Sequence, residues 1–484
     1  MRERHADHDA LTPILAEALA ALALPPEAGD RLAVTGTGSL PSCFPVTALA
    51  TASIGAAGLA VSELLGLSGP APAVTVDRHL ASAWFGTSVR PQGWTLPAAW
   101  DPIAGDYRAA DGWIRLHTNA PRHRAAALAV LDCPGEREAV AAAVARAAAE
   151  DLEAAILRAG GCAAAMRGPD DWPRLDQGRA VRAEPLVALA ERPVQHRVPW
   201  RPDPARPLAG IRVLDLTRIL AGPVATRVLA GLGADVLRID PPGWDEPSLA
   251  PDVTLGKVCT RLDLRQVDDR RHFETLLAEA DILVHGYRPD ALERLGYGAA
   301  RRRALNPDLI DVALCAYGWT GPWAGRRGFD SLVQMATGIA AAGQRWKQAD
   351  RPVPLPVQAL DHATGYLMAA AAVRGLIARQ RDGHAVTARL SLARTVRLLT
   401  DHPGSAPGPA FGGYRDADYA PEIEDTARVP ALRLHAPVRI EGAPLRWDRP
   451  ACDLGTTEAA QVRHFGSARS SGSKAAPGSR SAIN

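Results

Sequence analysis

An α/β fold built on a Rossmann-like parallel sheet is predicted by three observations. From Leu208 onward, short apolar runs of strand length alternate with helical stretches, the pattern of parallel strands joined by right-handed crossovers. A polar stretch from Pro193 to Pro207 holds five prolines and sets that region apart from an alanine-rich first half. The 484 residues exceed one ordinary domain and suggest two or three.

Taken in order, residues 1–40 read as a short helix over 10–24 and a turn at Gly36 and Gly38. An apolar helix follows over residues 45–67, then a strand over 73–76 and a helix through Trp84. Asp111-Gly112 is a turn signal leading into a hairpin strand that ends at Leu116. Helices over 136–149 and 151–158 come next, the second stopped by Gly160-Gly161. Past the proline-rich linker, residues 211–216, 235–239, 281–285 and 307–315 read as strands and 224–232 and 273–280 as helices. Beyond Pro403 periodicity fades, and the Ser-, Gly-, Ala- and Arg-rich last thirty residues are expected to be disordered. The divisions expected are 1–40, 41–200, 205–400 and an irregular tail over 401–484.

Composition excludes several classes. The net charge of +2 gives no field favouring nucleic acid or a membrane surface. The six cysteines are scattered, without CxxC or metal-ligand spacing, so neither a disulfide framework nor a metal site is expected. Charges interrupt the first thirty residues, and no apolar run is read as long enough to cross a bilayer. The expectation is a soluble cytoplasmic protein. Ala221-Gly222-Pro223 is not a GxGxxG turn, which argues against a dinucleotide cofactor.

The chain also carries an internal repeat. Phe44-Pro-Val-Thr-Ala-Leu-Ala-Thr-Ala-Ser53 aligns with Leu355-Pro-Val-Gln-Ala-Leu-Asp-His-Ala-Thr364, placing Ala50 opposite Asp361. By spacing alone, Asp361 at the mouth of an alanine-rich helix reads as a helix N-cap.

Several ordered motifs add to that reading. Leu220-Ala-Gly-Pro223 follows the first strand of the alternating region, and Arg238-Ile-Asp240 ends its second. Lys257 precedes Leu262-Asp-Leu264, and Asp281-Ile-Leu-Val-His-Gly-Tyr-Arg-Pro289 is followed by Leu292-Glu-Arg-Leu-Gly296 and Leu305-Asn-Pro-Asp-Leu-Ile310. Gly318-Trp-Thr-Gly-Pro322, Gly328-Phe-Asp330 and the Asp361 segment complete the series. Together these resemble the family III CoA-transferases (the CaiB/BaiF family) over about Pro207 to Ala393. The resemblance implies Asp361 as a covalent nucleophile, coenzyme A as co-substrate rather than a resident cofactor, and Arg238, Lys257, Arg288 and Arg294 as CoA-binding cations. It also implies acyl-CoA and carboxylic acid substrates, a smaller α+β domain supplied here by the first half, and an interlocked homodimer. The chain departs from the pattern at His285-Gly286, where the family has Glu-Asn, at Val258, and in the short turn Gly383-His-Ala385.

A carboxylate is a suitable nucleophile toward a thioester. Free aspartate, with a pKa near ~3.9, is ionised at neutral pH and needs no partner base. On that ground His362 is expected to be packed rather than catalytic. Tyr317 and Trp319 are equally readable as channel lining or as core. A 2-methylacyl-CoA racemase of the same fold is the enzyme alternative, disfavoured because Phe329 stands where such enzymes carry a histidine. A degenerate CoA-binding or regulatory protein is the non-enzymatic one.

Overall fold

The computed structural model describes residues 6–196, 200–402, 409–426 and 430–462. At its centre is a seven-stranded sheet. Its strands are β1 (Ala188–Pro193), β2 (Arg212–Leu216), β3 (Asp235–Asp240), β4 (Val258–Arg261), β5 (Ile282–His285), β6 (Ile310–Cys315) and β7 (His384–Ser391), in the order β4-β3-β2-β5-β6-β7-β1. Six strands run parallel. β1 pairs antiparallel with β7 and comes from the first half of the chain. β5, Ile-Leu-Val-His, is buried throughout, and β6 nearly so, as expected of parallel strands covered on both faces. β1 has only half-buried and exposed positions and ends in proline, which an edge strand tolerates.

Three helices build the layer that positions the site: α1 (Val46–Gly66), α2 (Ala221–Gly231) and α4 (Ala359–Arg381); α3 (Val267–Glu279) covers the opposite face of the sheet. Small side chains let the first three approach closely. A Cβ at Gly365 would lie 2.4 Å from the Ala221 carbonyl oxygen and 2.9 Å from Val224 Cβ, so this α2–α4 crossing requires glycine. Alanines 369–372 of α4 are all buried in the same core. The expectation that no apolar run reaches membrane-spanning length is corrected here. By length and composition α1 would span a bilayer, but it packs along α4 and is almost wholly buried.

The repeat has a structural counterpart. α1 leads to a strand (Val74–Asp77) and a short helix (Arg78–Trp84), as α4 leads to β7 and a helix (Leu392–Thr400). Ala50 is fully buried in the shared core.

A smaller α+β unit lies before β1. The hairpin Gly105–Arg108 and Trp113–Leu116, extended antiparallel by Ala163–Ala165, packs with helices Pro121–Leu131, Arg137–Val144 and Ala149–Arg158. Its own core includes Ile103, Tyr107, Ile114, Val140, Leu152 and Ile156. Asp111, in the hairpin turn, accepts a hydrogen bond from the Ala149 N–H at 2.8 Å and so caps the last of these helices.

Residues 401–484 were expected to be irregular. Within them the structure places three strands, Tyr419–Asp425, Pro430–Leu434 and Val438–Ile440. Pro430–Leu434 pairs with Val89–Pro91, and Val438–Ile440 pairs with Val74–Asp77, so the tail completes sheets begun in the first half. Runs of three to seven residues are too short to show a period without their partners. Of the last thirty residues, 463–484 lie outside the described residues. Ahead of them Ala459–Gln461 forms a 3-10 turn.

Candidate active site

A cavity of about 450 Å³ opens at the carboxyl ends of the parallel strands, where open α/β sheets place their ligand sites. Leu216, Pro241, Leu262, Gly286 and Cys315 line it at or just past the ends of β2 to β6. The loop before Asp330 adds Arg326, Arg327 and Phe329, and the α+β unit contributes Arg122 and His123. Asp361 lines it from the first turn of α4.

Asp361 is not the N-cap of α4. That position is Gln358, which makes no side-chain capping bond. The helix start is satisfied from elsewhere, by Asp330 Oδ2, which accepts the Asp361 N–H at 2.9 Å. Asp330 also accepts a hydrogen bond from Gln334, whose Oε1 accepts the Leu355 N–H at 2.7 Å. Both ends of the Leu355–Asp361 loop are thereby pinned, and the Asp361 carboxyl, 8% exposed, has no hydrogen-bond partner among the described residues.

Burial, and then the nearby Asp330 carboxyl, hold the Asp361 pKa well above the ordinary carboxylate range. Asp330 is itself pushed up to about 6, chiefly by burial. This corrects the expectation that Asp361 is ionised like a free aspartate. It retains its proton further up the pH scale, because two buried carboxyls share one desolvated region.

The four cations inferred from the resemblance have different places. Arg288 lines the cavity, its guanidinium donating to the Gly325 carbonyl at 3.3 Å. Arg294 lies outside it, exposed and paired with Asp290 one helical turn away. Arg238 and Lys257 are fully buried and also lie outside. Arg238 forks onto Asp240 at 2.9 and 3.1 Å and reaches Glu246 at 2.8 Å, so its charge is already met. Lys257 Nζ donates to Asp215 at 2.9 Å, Thr226 at 2.6 Å and the Pro223 carbonyl at 3.0 Å.

Both residues nevertheless shape the cavity wall. Glu246, held by Arg238, accepts the Ile219 N–H at 2.7 Å and the Trp244 indole N–H at 2.8 Å. Ile219 adopts φ +67°, a conformation that costs a β-branched residue roughly 1–3 kcal/mol and is held by its surroundings. Lys257 ties the end of β2 to the start of α2.

Residues not singled out in the sequence supply most of the positive wall. Arg218 lies over the rings of Trp244 (4.9 Å) and Tyr287 (5.3 Å) and donates to the Tyr287 hydroxyl. Burial, then Arg327 and Arg218, push the Arg122 pKa below the ordinary range, and Arg288 is lowered by burial and Arg327. Arg122, Arg218, Arg288 and Arg327 form no ion pair among the described residues, so they make an uncompensated cationic cluster. Arg326, by contrast, is paired with Glu153.

Among the other residues considered, His362 is packed: it is 1% exposed, stacks on Phe85 at 5.1 Å and is pushed down to about 3 by burial. Tyr317 is fully buried against Trp323, and Trp319 donates to the Leu390 carbonyl; neither lines the main cavity. Phe329 meets two imidazoles from the α+β unit, stacked on His117 at 3.7 Å and edge-on to His123 at 6.1 Å. Burial lowers these histidines to about 3 and about 4. No group of three or more His, Cys, Asp or Glu residues suited to a metal ion occurs among the described residues.

Comparisons with known proteins fall on the same region. Residues 208–408 match the sequence model of CoA-transferase family III. The chain is 30% identical over 254 residues to a probable fatty acyl-CoA transferase of Mycobacterium tuberculosis, covering 47% of this chain and 64% of that protein. It is 34% identical over 244 residues to the acetyl-coenzyme A transferase nodX of Hypoxylon pulicicidum, covering 46% and 41%. To the mouse (Mus musculus) succinyl-CoA:glutarate CoA-transferase it is 31% identical over 194 residues, covering 37% and 44%. A crystal structure of a CaiB/BaiF family protein from Brucella suis is 25% identical, covers 47% of this chain and 65% of that one, and superposes with a TM-score of 0.36. The chain thus spans less than two thirds of the length of each of these relatives. Over residues 208–408 it is similar to CoA-transferase family III.

Proposed function

We propose that this protein moves CoA from an acyl-CoA to a carboxylic acid through a covalent intermediate on Asp361. The observation that carries the proposal is a buried carboxyl with no hydrogen-bond partner among the described residues, lining a cavity whose wall holds four arginines that form no ion pair among them. Once Asp361 has lost its proton, its oxygen attacks the thioester carbon, giving a mixed anhydride and CoA thiolate. The thiolate attacks the aspartyl carbonyl, leaving an aspartyl-CoA thioester and the free donor acid. The acceptor carboxylate then takes the same path in reverse. Each step exchanges one activated acyl group for another, so no ATP is consumed. Arg122, Arg218, Arg288 and Arg327 would meet the phosphates, with Trp244 and Tyr287 beside them as flat apolar surfaces.

Incubation with an acyl-CoA followed by hydroxylamine or borohydride is expected to leave a mass adduct on the peptide containing Asp361. Rapid CoA exchange with no adduct under any trapping condition would sink the covalent reading. Arg122→Ala is expected to raise KM for the acyl-CoA about ten-fold, the scale of one lost charge-assisted hydrogen bond, with kcat changed less than about three-fold. Initial rates against thioester concentration measure both.

His123 favours a second reading. It brings an imidazole, absent at position 329, into the cavity that Asp361 lines. Two groups on opposite sides of an α-carbon could remove and return its proton, as a 2-methylacyl-CoA racemase requires. Deuterium entering the α-position without any Asp361 adduct would favour that chemistry over transfer. We also propose a homodimer, as the family resemblance implies; sedimentation of the purified chain tests it.

A further inference from the structure

A second cavity, of about 160 Å³, lies on the opposite face of the same sheet, and the strand register explains it. His285 of β5 is the Cα partner of Ala313 of β6, and Ala313 is the partner of Arg389 of β7. In the neighbouring row Asp311 pairs with Thr387. Side chains alternate along a strand, so these residues point away from the α4 face, to which Val284, Val312, Ala388 and Leu390 contribute. Adjacent strands are about 4.8 Å apart, so the single methyl of Ala313 leaves a gap between His285 and Arg389. Arg302 and Arg303, from the helix Ala299–Leu305, line the same cavity, as do Arg192 and Trp319.

The polar groups around this gap are incompletely matched. His285 Nε2 lies 3.3 Å from Asp311 Oδ1 but is too poorly aligned for a hydrogen bond, and Nδ1 has no partner. The imidazole is about 95% buried, where an unmatched polar group is costly. Asp311 is neutralised by Arg302, which donates to it at 2.7 and 2.9 Å. Arg192 is held by the Pro307 and Leu309 carbonyls and the Thr387 hydroxyl, and its charge meets no carboxylate directly among the described residues. Arg389 lies 5.0 Å over the Trp319 ring, and neither it nor Arg303 forms an ion pair among the described residues. Against these three cations the lining offers one further carboxylate, the exposed Glu293.

We propose that this cavity is a second binding site, for a small oxyanion of the phosphate or carboxylate class, built around the His285 imidazole, whose Nδ1 has no partner. Such an anion accepts a hydrogen bond from the imidazole and lies among the guanidinium groups of Arg192, Arg303 and Arg389. The volume suits an inorganic phosphate or a short acid and excludes a nucleotide. The site is separate from the Asp361 cavity, but β5 links the two. His285 ends the strand, and Gly286, Tyr287 and Arg288, which follow it, line the main cavity.

The test titrates inorganic phosphate, and separately acetate, into the full chain while following the His285 imidazole by NMR. The resonance is assigned by its loss in His285→Gln or, should that variant not fold, by its displacement in Arg389→Ala. A saturable shift is expected, weakened at least ten-fold in Arg389→Ala and unchanged in Arg122→Ala, which alters only the main cavity. Saturation by phosphate alone identifies a phosphate site, and saturation by acetate identifies a site for the acids themselves. No saturable shift with either anion, or an affinity indifferent to Arg389→Ala, overturns the proposal.

Discussion

Asp361→Asn is expected to lower CoA transfer by at least ~10³-fold, about 4 kcal/mol of transition-state stabilisation, while leaving the protein folded. Asparagine keeps the size of the side chain and the backbone N–H that Asp330 accepts, so the helix start survives. What disappears is the oxygen that would form the anhydride. Stability should respond in the opposite sense as pH rises. The folded pKa of Asp361 lies above its unfolded value, so above about pH 4 the unfolded chain holds fewer protons at this position than the folded one. Stability of the native carboxyl pair therefore falls as pH climbs from the unfolded value toward the raised folded one. Asp330, raised from 3.8 to about 6, adds a penalty on the order of 1–3 kcal/mol over that window. The neutral asparagine removes the Asp361 part, the repulsion it feels from Asp330 included. The stability of the variant relative to the native protein should thus increase between pH 4 and pH 7, as urea denaturation would measure. An unchanged transfer rate would remove Asp361 from the chemistry. A difference that does not vary with pH would remove the raised pKa of Asp361.

How much of this was legible in the sequence depends on where each partner lies in the chain. β5 and β6 declare themselves because strands covered on both faces must be apolar over their own few residues, and Ile-Leu-Val is such a run. Asp361 is legible for a similar reason, since the motif and the helix it opens are contiguous. Arg238 has its counter-charge Asp240 two residues on, on the same face of β3, where spacing alone could have shown it, whereas that of Lys257 is invisible to spacing. Asp215 lies 42 residues from Lys257, and only the β2–β3–β4 register brings the two together. Arg122 offered no local signal at all, sitting in Pro121-Arg-His-Arg124 at the start of an ordinary helix. Arg327 was within reach, one residue before the Gly328-Phe-Asp330 motif. Pro430–Leu434 and Val438–Ile440 escaped notice because they pair with strands in the first hundred residues, and Tyr419–Asp425 pairs in turn with Pro430–Leu434.

The second large effect is expected at Asp252, where three separated stretches of chain meet out of water. Arg227 of α2, fully buried, donates to the Asp252 carboxylate and, at 3.1 Å, to its carbonyl, and lies 4.5 Å over the Trp84 ring. Ser88, from the first half, donates to Asp252 through both its hydroxyl and its N–H. Arg433, from the tail, reaches the Pro251 carbonyl and Ser88 Oγ at 2.9 Å and is held on its other side by Glu424 at 2.8 Å. Asp252→Ala removes the carboxylate facing Arg227 and leaves that guanidinium buried with no ion-pair partner among the described residues. The expected cost is about 3–5 kcal/mol, the scale of a broken buried pair and a large fraction of a domain's stability. Burial opposes ionisation of Asp252, but Arg227 and Arg433 outweigh it and the folded pKa is lowered. The contribution is therefore full above about pH 3.8 and is lost as pH falls through the depressed folded value. Denaturation curves at pH 7 and pH 3 should show the variant's deficit shrinking in acid. Arg227→Leu combined with Asp252→Leu provides the control, because apolar residues of similar size at both positions leave no orphaned charge between them and should recover part of the loss. If the double variant is as unstable as Asp252→Ala, packing rather than charge holds these segments together. Ala221, at the head of the helix that carries Arg227, lines the main cavity, so loosening this junction should also lower activity at temperatures well below unfolding.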